Sequence, residues 1–121
     1  MNRNGYMQYR EQSIMTMTQS ELVIVLYDEL IKRLKRAGFA LDKEDYTDFE
    51  AAVSRSRDII IYFKDSLNFN YEISYELARM YDFFLFELSR LLSARKKGII
   101  EDLLPLIEDL REAFEIAGKT A

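Results

Sequence analysis

A chain of 121 residues supplies one hydrophobic core and not two, and its 49% hydrophobic and 31% charged residues describe a folded domain rather than a disordered or membrane-spanning chain. A net charge of -4 argues against a nucleic-acid binder, which needs a cationic face to neutralise phosphates. With no histidine and no cysteine, the commonest general base, the commonest transition-metal ligand, disulfides and thiolate zinc sites are all absent, and a ferritin-like di-iron bundle is excluded.

Residues 1–17 have no stable period and carry only scattered apolar points, Tyr6, Tyr9, Ile14, Met15 and Met17, so they are read as an arm that is ordered only when it lies on something. The opening Met-Asn-Arg-Asn-Gly-Tyr lacks the apolar stretch of a secretory signal, and no apolar run reaches the roughly 20 residues of a membrane span. The expectation is a cytoplasmic chain without membrane insertion.

From residue 18 onward the period is helical. Thr18 with Glu21 forms a capping box that opens a first helix from Gln19 to Leu41 on Leu22, Leu26, Leu30, Leu34, Ala37 and Leu41. Thr47 with Glu50 reads as a second capping box, starting a helix through Leu67 on Phe49, Val53, Ile60, Phe63 and Leu67. A third is predicted from Tyr71, behind the cap candidates Asn68 and Asn70, to a left-handed C-terminal position at Gly98. The fourth runs from Ile99 or Ile100 through Leu103, Ile107, Leu110 and Phe114 to Ala117, with a kink expected at Pro105. Short connections make neighbours antiparallel, so the predicted fold is all-α: an antiparallel up-down four-helix bundle over residues 18–121, a single domain, with the arm of residues 1–17 packing on it.

Two segments carry more apolar surface than a bundle helix needs. Leu22 to Tyr27 is apolar throughout, and Met80 to Phe86 reads Met-Tyr-Asp-Phe-Phe-Leu-Phe. A solvent-facing helix requires only one apolar stripe, so part of this surface is expected to await another polypeptide. Within the second segment Asp82 must face solvent, pair with a cation or bond a partner's backbone, and the exposed position is the favoured reading. The basic clusters are Lys32, Arg33, Lys35 and Arg36, and Arg95, Lys96 and Lys97; the latter falls where a helix ends, and cations there complement the helix dipole. Glu44/Asp45 and Glu108/Asp109 are adjacent carboxylates on helix ends and polar faces, and Ser54 and Ser56 have no histidine to activate them. Without oxyanion donors or a Gly-rich loop these are solvated groups, and the chain is read as no enzyme and as needing no cofactor or metal.

The stretch Tyr6-x-x-Tyr9-x-x-x-Ser13-Ile14-x-Thr16-x-Thr18-x-x-Glu21-Leu22, followed by Leu26-Tyr27, resembles the N-terminal signature of the flagellar secretion chaperones of the FliS family. The likeness extends over nearly the whole chain through Ile59-Ile60 with Leu67, Glu72-Ile73-Ser74, Leu77, Met80-Tyr81-Asp82-Phe83-Phe84, Leu88 and Leu110-Arg111-Glu112-Ala113-Phe114. It departs at Gln19-Ser20, Leu91-Leu92, Pro105 and Phe114. The resemblance implies a cytoplasmic chaperone that covers the disordered C-terminal segment of flagellin before type III export and blocks premature polymerisation, with a second contact to the flagellar export apparatus left open. The expected recognition is an amphipathic helix laid into an apolar groove, ordered as it binds.

The candidate partner-binding residues are Ile59 and Tyr62 on the second helix and Met80, Tyr81 and Phe84 on the third, with Tyr6, Tyr9 and Ile14 forming a movable cap over the groove. The same residue types fill bundle cores, so burial is the competing reading at each helix position, and a permanently docked arm is the competing reading for the cap. The chain is expected to be a monomer or weak homodimer. A self-associating bundle that buries its surplus surface in a homodimer is the alternative function.

Overall fold

The computed structural model describes residues 19–120 as α1 (Gln19–Asp42), α2 (Tyr46–Asp65), α3 (Ile73–Ala94) and α4 (Lys97–Thr120), with no strand among them. Each helix packs on its neighbour in sequence, and α1 also packs on α4, so the four close into a square. Ion pairs fix the antiparallel sense: Lys97 at the start of α4 reaches Asp42 at the end of α1, while Arg111 further along α4 reaches Asp28. The expected all-α antiparallel bundle is the observed fold.

The inward stripe follows the helical period. Tyr27, Leu30, Leu34, Ala37 and Ala40 of α1 meet Phe49, Val53, Ile60 and Phe63 of α2, Tyr81, Phe84, Leu88 and Leu91 of α3, and Ile99, Ile100, Leu103 and Ile107 of α4, all buried. Burying each large side chain contributes about 1.5–3 kcal/mol. At one level all four helices meet through rings: Tyr27 stacks on Phe63 at 4.4 Å between centroids and meets a tilted Phe114 ring at 5.4 Å, and Phe63 stacks on Tyr81 at 5.7 Å. Phe114, a departure from the family pattern, is thus a member of this layer.

The helix ends correct four expectations. The capping box at Thr47 does not form; α2 starts at Tyr46 with Asp45 as its cap, whose carboxylate accepts from the Asp48 amide at 3.1 Å. Aspartate caps at least as well as threonine, and the preceding turn places Asp45 for the role. Glu44 sits left-handed at φ 56°, its amide bonded to the Leu41 carbonyl, while the Asp45 amide bonds the Ala40 carbonyl, so α1 closes in a Schellman motif. The Thr18 half of the first capping box lies outside the described residues.

Helix α3 begins at Ile73, not Tyr71, because Asn68 spends its side chain on the connection, accepting from the Asn70 amide, while buried Ser74 donates to the Asn68 carbonyl at 2.6 Å. It ends at Ala94, and the left-handed cap is Arg95 at φ 52° rather than Gly98, which lies in the first turn of α4. The Arg95 guanidinium lies 4.0 Å over the Tyr46 ring and reaches Glu50 at 3.8 Å, contacts that offset the left-handed backbone. Lys97 accordingly opens α4 and pairs with Asp42 instead of closing α3. Helix α4 continues through Pro105, which is exposed, so solvent can serve the Glu101 carbonyl that loses its amide partner.

Candidate functional site

The start of α1, the end of α2, the connection into α3 and the end of α4 converge at one end of the bundle, and apolar side chains are incompletely covered there. Leu22, Val23, Ile24, Val25 and Leu26 are all half-buried, so no flank of the first turns of α1 is fully packed. Around them Tyr62, Phe69, Tyr71, Ile73, Tyr75 and Ile116 are exposed. Phe69 and Tyr75 meet edge to face at 5.1 Å, so the connection is itself a small aromatic cluster.

Two furrows lie along α1. The first, against α2, is lined by Leu22, Leu26, Arg55, Asp58, Ile59 and Tyr62. Leu22 and Leu26 are one helical turn apart, as are Ile59 and Tyr62 facing them, and this spacing produces an apolar trough with charged Arg55 and Asp58 on its rim. The second, against α4, is lined by Ser20, Val23, Ile24, Phe114, Ala117 and Gly118, with Gln19, Glu21, Glu115 and Lys119 also in its wall. Small residues bring the two helices close at one point: a Cβ added to Gly118 would stand 3.4 Å from Ser20 Cβ.

The structure separates the sequence candidates. Tyr62 is 43% exposed and Met80 is half-buried, so both reach the surface. Tyr81 and Phe84 are instead core residues, with 2% and 0% exposure. Ile59, at 2%, belongs to the core but also floors the α1/α2 furrow. Tyr6, Tyr9 and Ile14 lie outside the described residues. The sequence reading missed Phe69, Tyr71, Ile73 and Tyr75, whose signal was a large apolar residue at every second position from the predicted connection into the start of the third helix.

Beneath the furrows the Tyr27 and Tyr81 hydroxyls bond each other at 2.8 Å. Burial pushes both phenols upward; the neighbouring Tyr81 adds to this for Tyr27, while the hydrogen bond shared with Tyr27 partly offsets it for Tyr81. Both rings stay neutral and fixed, and form a rigid floor. Asp82, exposed as expected, pairs with Lys64 at 2.6 Å across the α2/α3 seam. Among the described residues no cluster of carboxylates is arranged for a metal, and no helix is long and apolar enough to cross a membrane. What the arrangement offers is apolar contact for an extended or helical polypeptide.

A bundle with furrowed, incompletely covered flanks is the architecture of a polypeptide-binding chaperone, and comparison with known proteins gives the same class. The sequence profile described as flagellar protein FliS matches residues 2–121, and the chain belongs to that family. The flagellar secretion chaperone FliS of Bacillus subtilis (strain 168) is 26% identical over 115 residues, covering 95% of this chain and 86% of that protein. A crystal structure of a bacterial flagellar chaperone superposes with a TM-score of 0.80 at 18% identity over 98% of both chains, a likeness of fold.

Proposed function

We propose that this chain binds the disordered C-terminal segment of flagellin in the cytoplasm, through the furrows flanking α1, and so prevents premature polymerisation before type III flagellar secretion. The observation that carries the proposal is the α1/α2 trough of Leu22, Leu26, Ile59 and Tyr62, continuous in chain with the half-buried turns of α1 and lying at the end where the exposed rings gather. A segment that folds into amphipathic helices on assembly has the apolar stripe such a trough accepts, and it returns part of the gross affinity as ordering entropy. Nothing in this recognition requires bond chemistry, so the proposed role is binding and not turnover.

Residues 1–17 are proposed as an arm distinct from the bundle, with Tyr6, Tyr9 and Ile14 covering the groove without client and shifting when it arrives. Handing over the client then requires a further component, and a contact with the export apparatus is part of the proposal. The burial of Tyr81 and Phe84 moves the proposed client contacts to Tyr62, Met80, Leu22 and Leu26.

Calorimetric titration with a flagellin C-terminal peptide of about 40 residues tests the reading. Affinity at or below tens of micromolar is expected; anything weaker contributes under roughly 7 kcal/mol and would refute a dedicated client site. Tyr62→Ala should weaken binding by about 1–4 kcal/mol while leaving the fold intact. The alternative, a homodimer that buries the same surface, would be established by light scattering that gives a tight dimer refusing the peptide. Deleting residues 1–15 should raise client affinity; a sharp fall in thermal stability with unchanged affinity would make the arm a permanent part of the core.

A further inference from the structure

The outward face of the second half of α1 is basic in a chain whose net charge is -4. At 3.6 residues per turn Lys32, Lys35, Arg36, Phe39 and Lys43 fall on one face and so stand in one stripe, with Phe39 63% exposed among the cations. With Asp28 and Ile31, the first four of these line a shallow furrow. This face lies toward the opposite end of α1 from the client trough.

Arg36 is paired with Asp48, and Asp45 lines a pocket with Arg36, Phe39 and Lys43, so the unpaired charge of the stripe belongs to its lysines. Asp28 is engaged by Arg111, Glu29 by Arg33 and Asp42 by Lys97. Lys32 and Lys43 are near enough to Glu29 and Asp48 to be felt by them, yet among the described residues no ion pair holds Lys32, Lys35 or Lys43. The unpaired lysines and the exposed Phe39 ring together offer cationic and apolar contact on one face.

We infer that this stripe is a docking face for an acidic segment of another protein, one carrying an apolar side chain that lies on Phe39. Lys32 to Lys43 spans about 16 Å of helix, the length of roughly three turns. Charge complementarity selects a short acidic segment over a membrane or nucleic acid. Screening confines the attraction to about 8 Å at physiological salt, so a short segment meets only the cations, whereas an extended anionic surface also meets the acidic remainder of the chain.

The test is an amide NMR titration of the full chain with a synthetic Glu-rich peptide of about 14 residues bearing Leu at every third or fourth position. Shifts centred on Lys32, Lys35, Phe39 and Lys43 are expected, with affinity weakening at least about tenfold as salt rises from about 50 to 300 mM. Lys32→Glu with Lys35→Glu should weaken binding by about tenfold or more, and Phe39→Ser by about threefold to tenfold. All three positions are exposed, so melting curves should match the parent, and affinity for the flagellin peptide should not change. Shifts elsewhere, indifference to the charge reversals, or equal binding of a Lys-rich peptide of the same pattern would overturn the inference. Tighter binding to vesicles containing phosphatidylserine than to the peptide, lost in the same variants, would overturn it in favour of a membrane face.

Discussion

The two ends of the bundle are built to different standards. At the end where α1 passes to α2 and α3 passes to α4, the connections Lys43–Asp45 and Arg95–Lys96 are tight, and Ala37, Ala40, Phe49, Val53, Leu88, Leu91, Ile99 and Ile100 are all buried. At the other end the connection between α2 and α3 is longer, α1 is half-covered from Leu22 to Leu26, and Tyr62, Phe69, Tyr71 and Tyr75 face outward where the sealed end exposes Phe39 and Tyr46. Both ends use the same residue types. The difference teaches that packing is concentrated in one half of the molecule, leaving apolar area in the other incompletely covered.

Substitutions matched across the ends can break that comparison, and the largest effect should come from the sealed half. Phe49→Ala should destabilise the protein by about 3–5 kcal/mol in urea titration, and Tyr81→Ala, at the layer between the halves, by a similar amount. Leu22→Ala, from a half-buried position, should cost about 1 kcal/mol while weakening the flagellin peptide more than either core variant that still folds. Equal losses of stability at Phe49 and Leu22 would mean that the ends are packed alike.

Tyr27→Phe comes next, with an expected loss of about 1–3 kcal/mol at neutral pH because the Tyr81 hydroxyl is left buried without its partner. Burial raises both phenols, so their ionisation is resisted in the fold. The contribution is therefore fully present below the ordinary phenol range near about pH 10 and is lost as pH rises beyond it. Stability followed by circular dichroism should fall steeply above that point, and less steeply in Tyr27→Phe. An unchanged alkaline limb would show that the pair is not what titrates.

Smaller still, Asp82→Ala should change stability by no more than about 0.5 kcal/mol, because its pairing with Lys64 is solvent-exposed. Glu44→Gly should stabilise by about 0.5–1 kcal/mol, relieving a left-handed backbone at the sealed end. A drop in melting temperature would instead assign the Glu44 side chain a role in that turn.

The architecture was legible because four long stretches share one period and short connections force neighbours to run antiparallel. Leu30, Leu34, Phe49, Val53, Ile60 and Phe63 were assigned inward by spacing and are buried. The site was harder to read where both faces of a helix are apolar. From Met80 to Phe86 the period alone cannot choose which rings turn inward; packing buries Tyr81 and Phe84 and leaves Phe83 and Phe86 outside. Helix ends misled for a related reason. A left-handed cap usually selects glycine, but the ring of Tyr46, distant in sequence, supports Arg95 in that role, and no local pattern reveals a contact made by folding.

The ring layer of Tyr27, Phe63, Tyr81 and Phe114 works as a bulkhead across the bundle. Because its members come from every helix and its two hydroxyls satisfy each other, the compartment above can be rearranged without admitting water to the core below. Hydrogen exchange should therefore show an abrupt step in protection at this level, with the half-buried first turns of α1 breathing while the lower half keeps the chain folded.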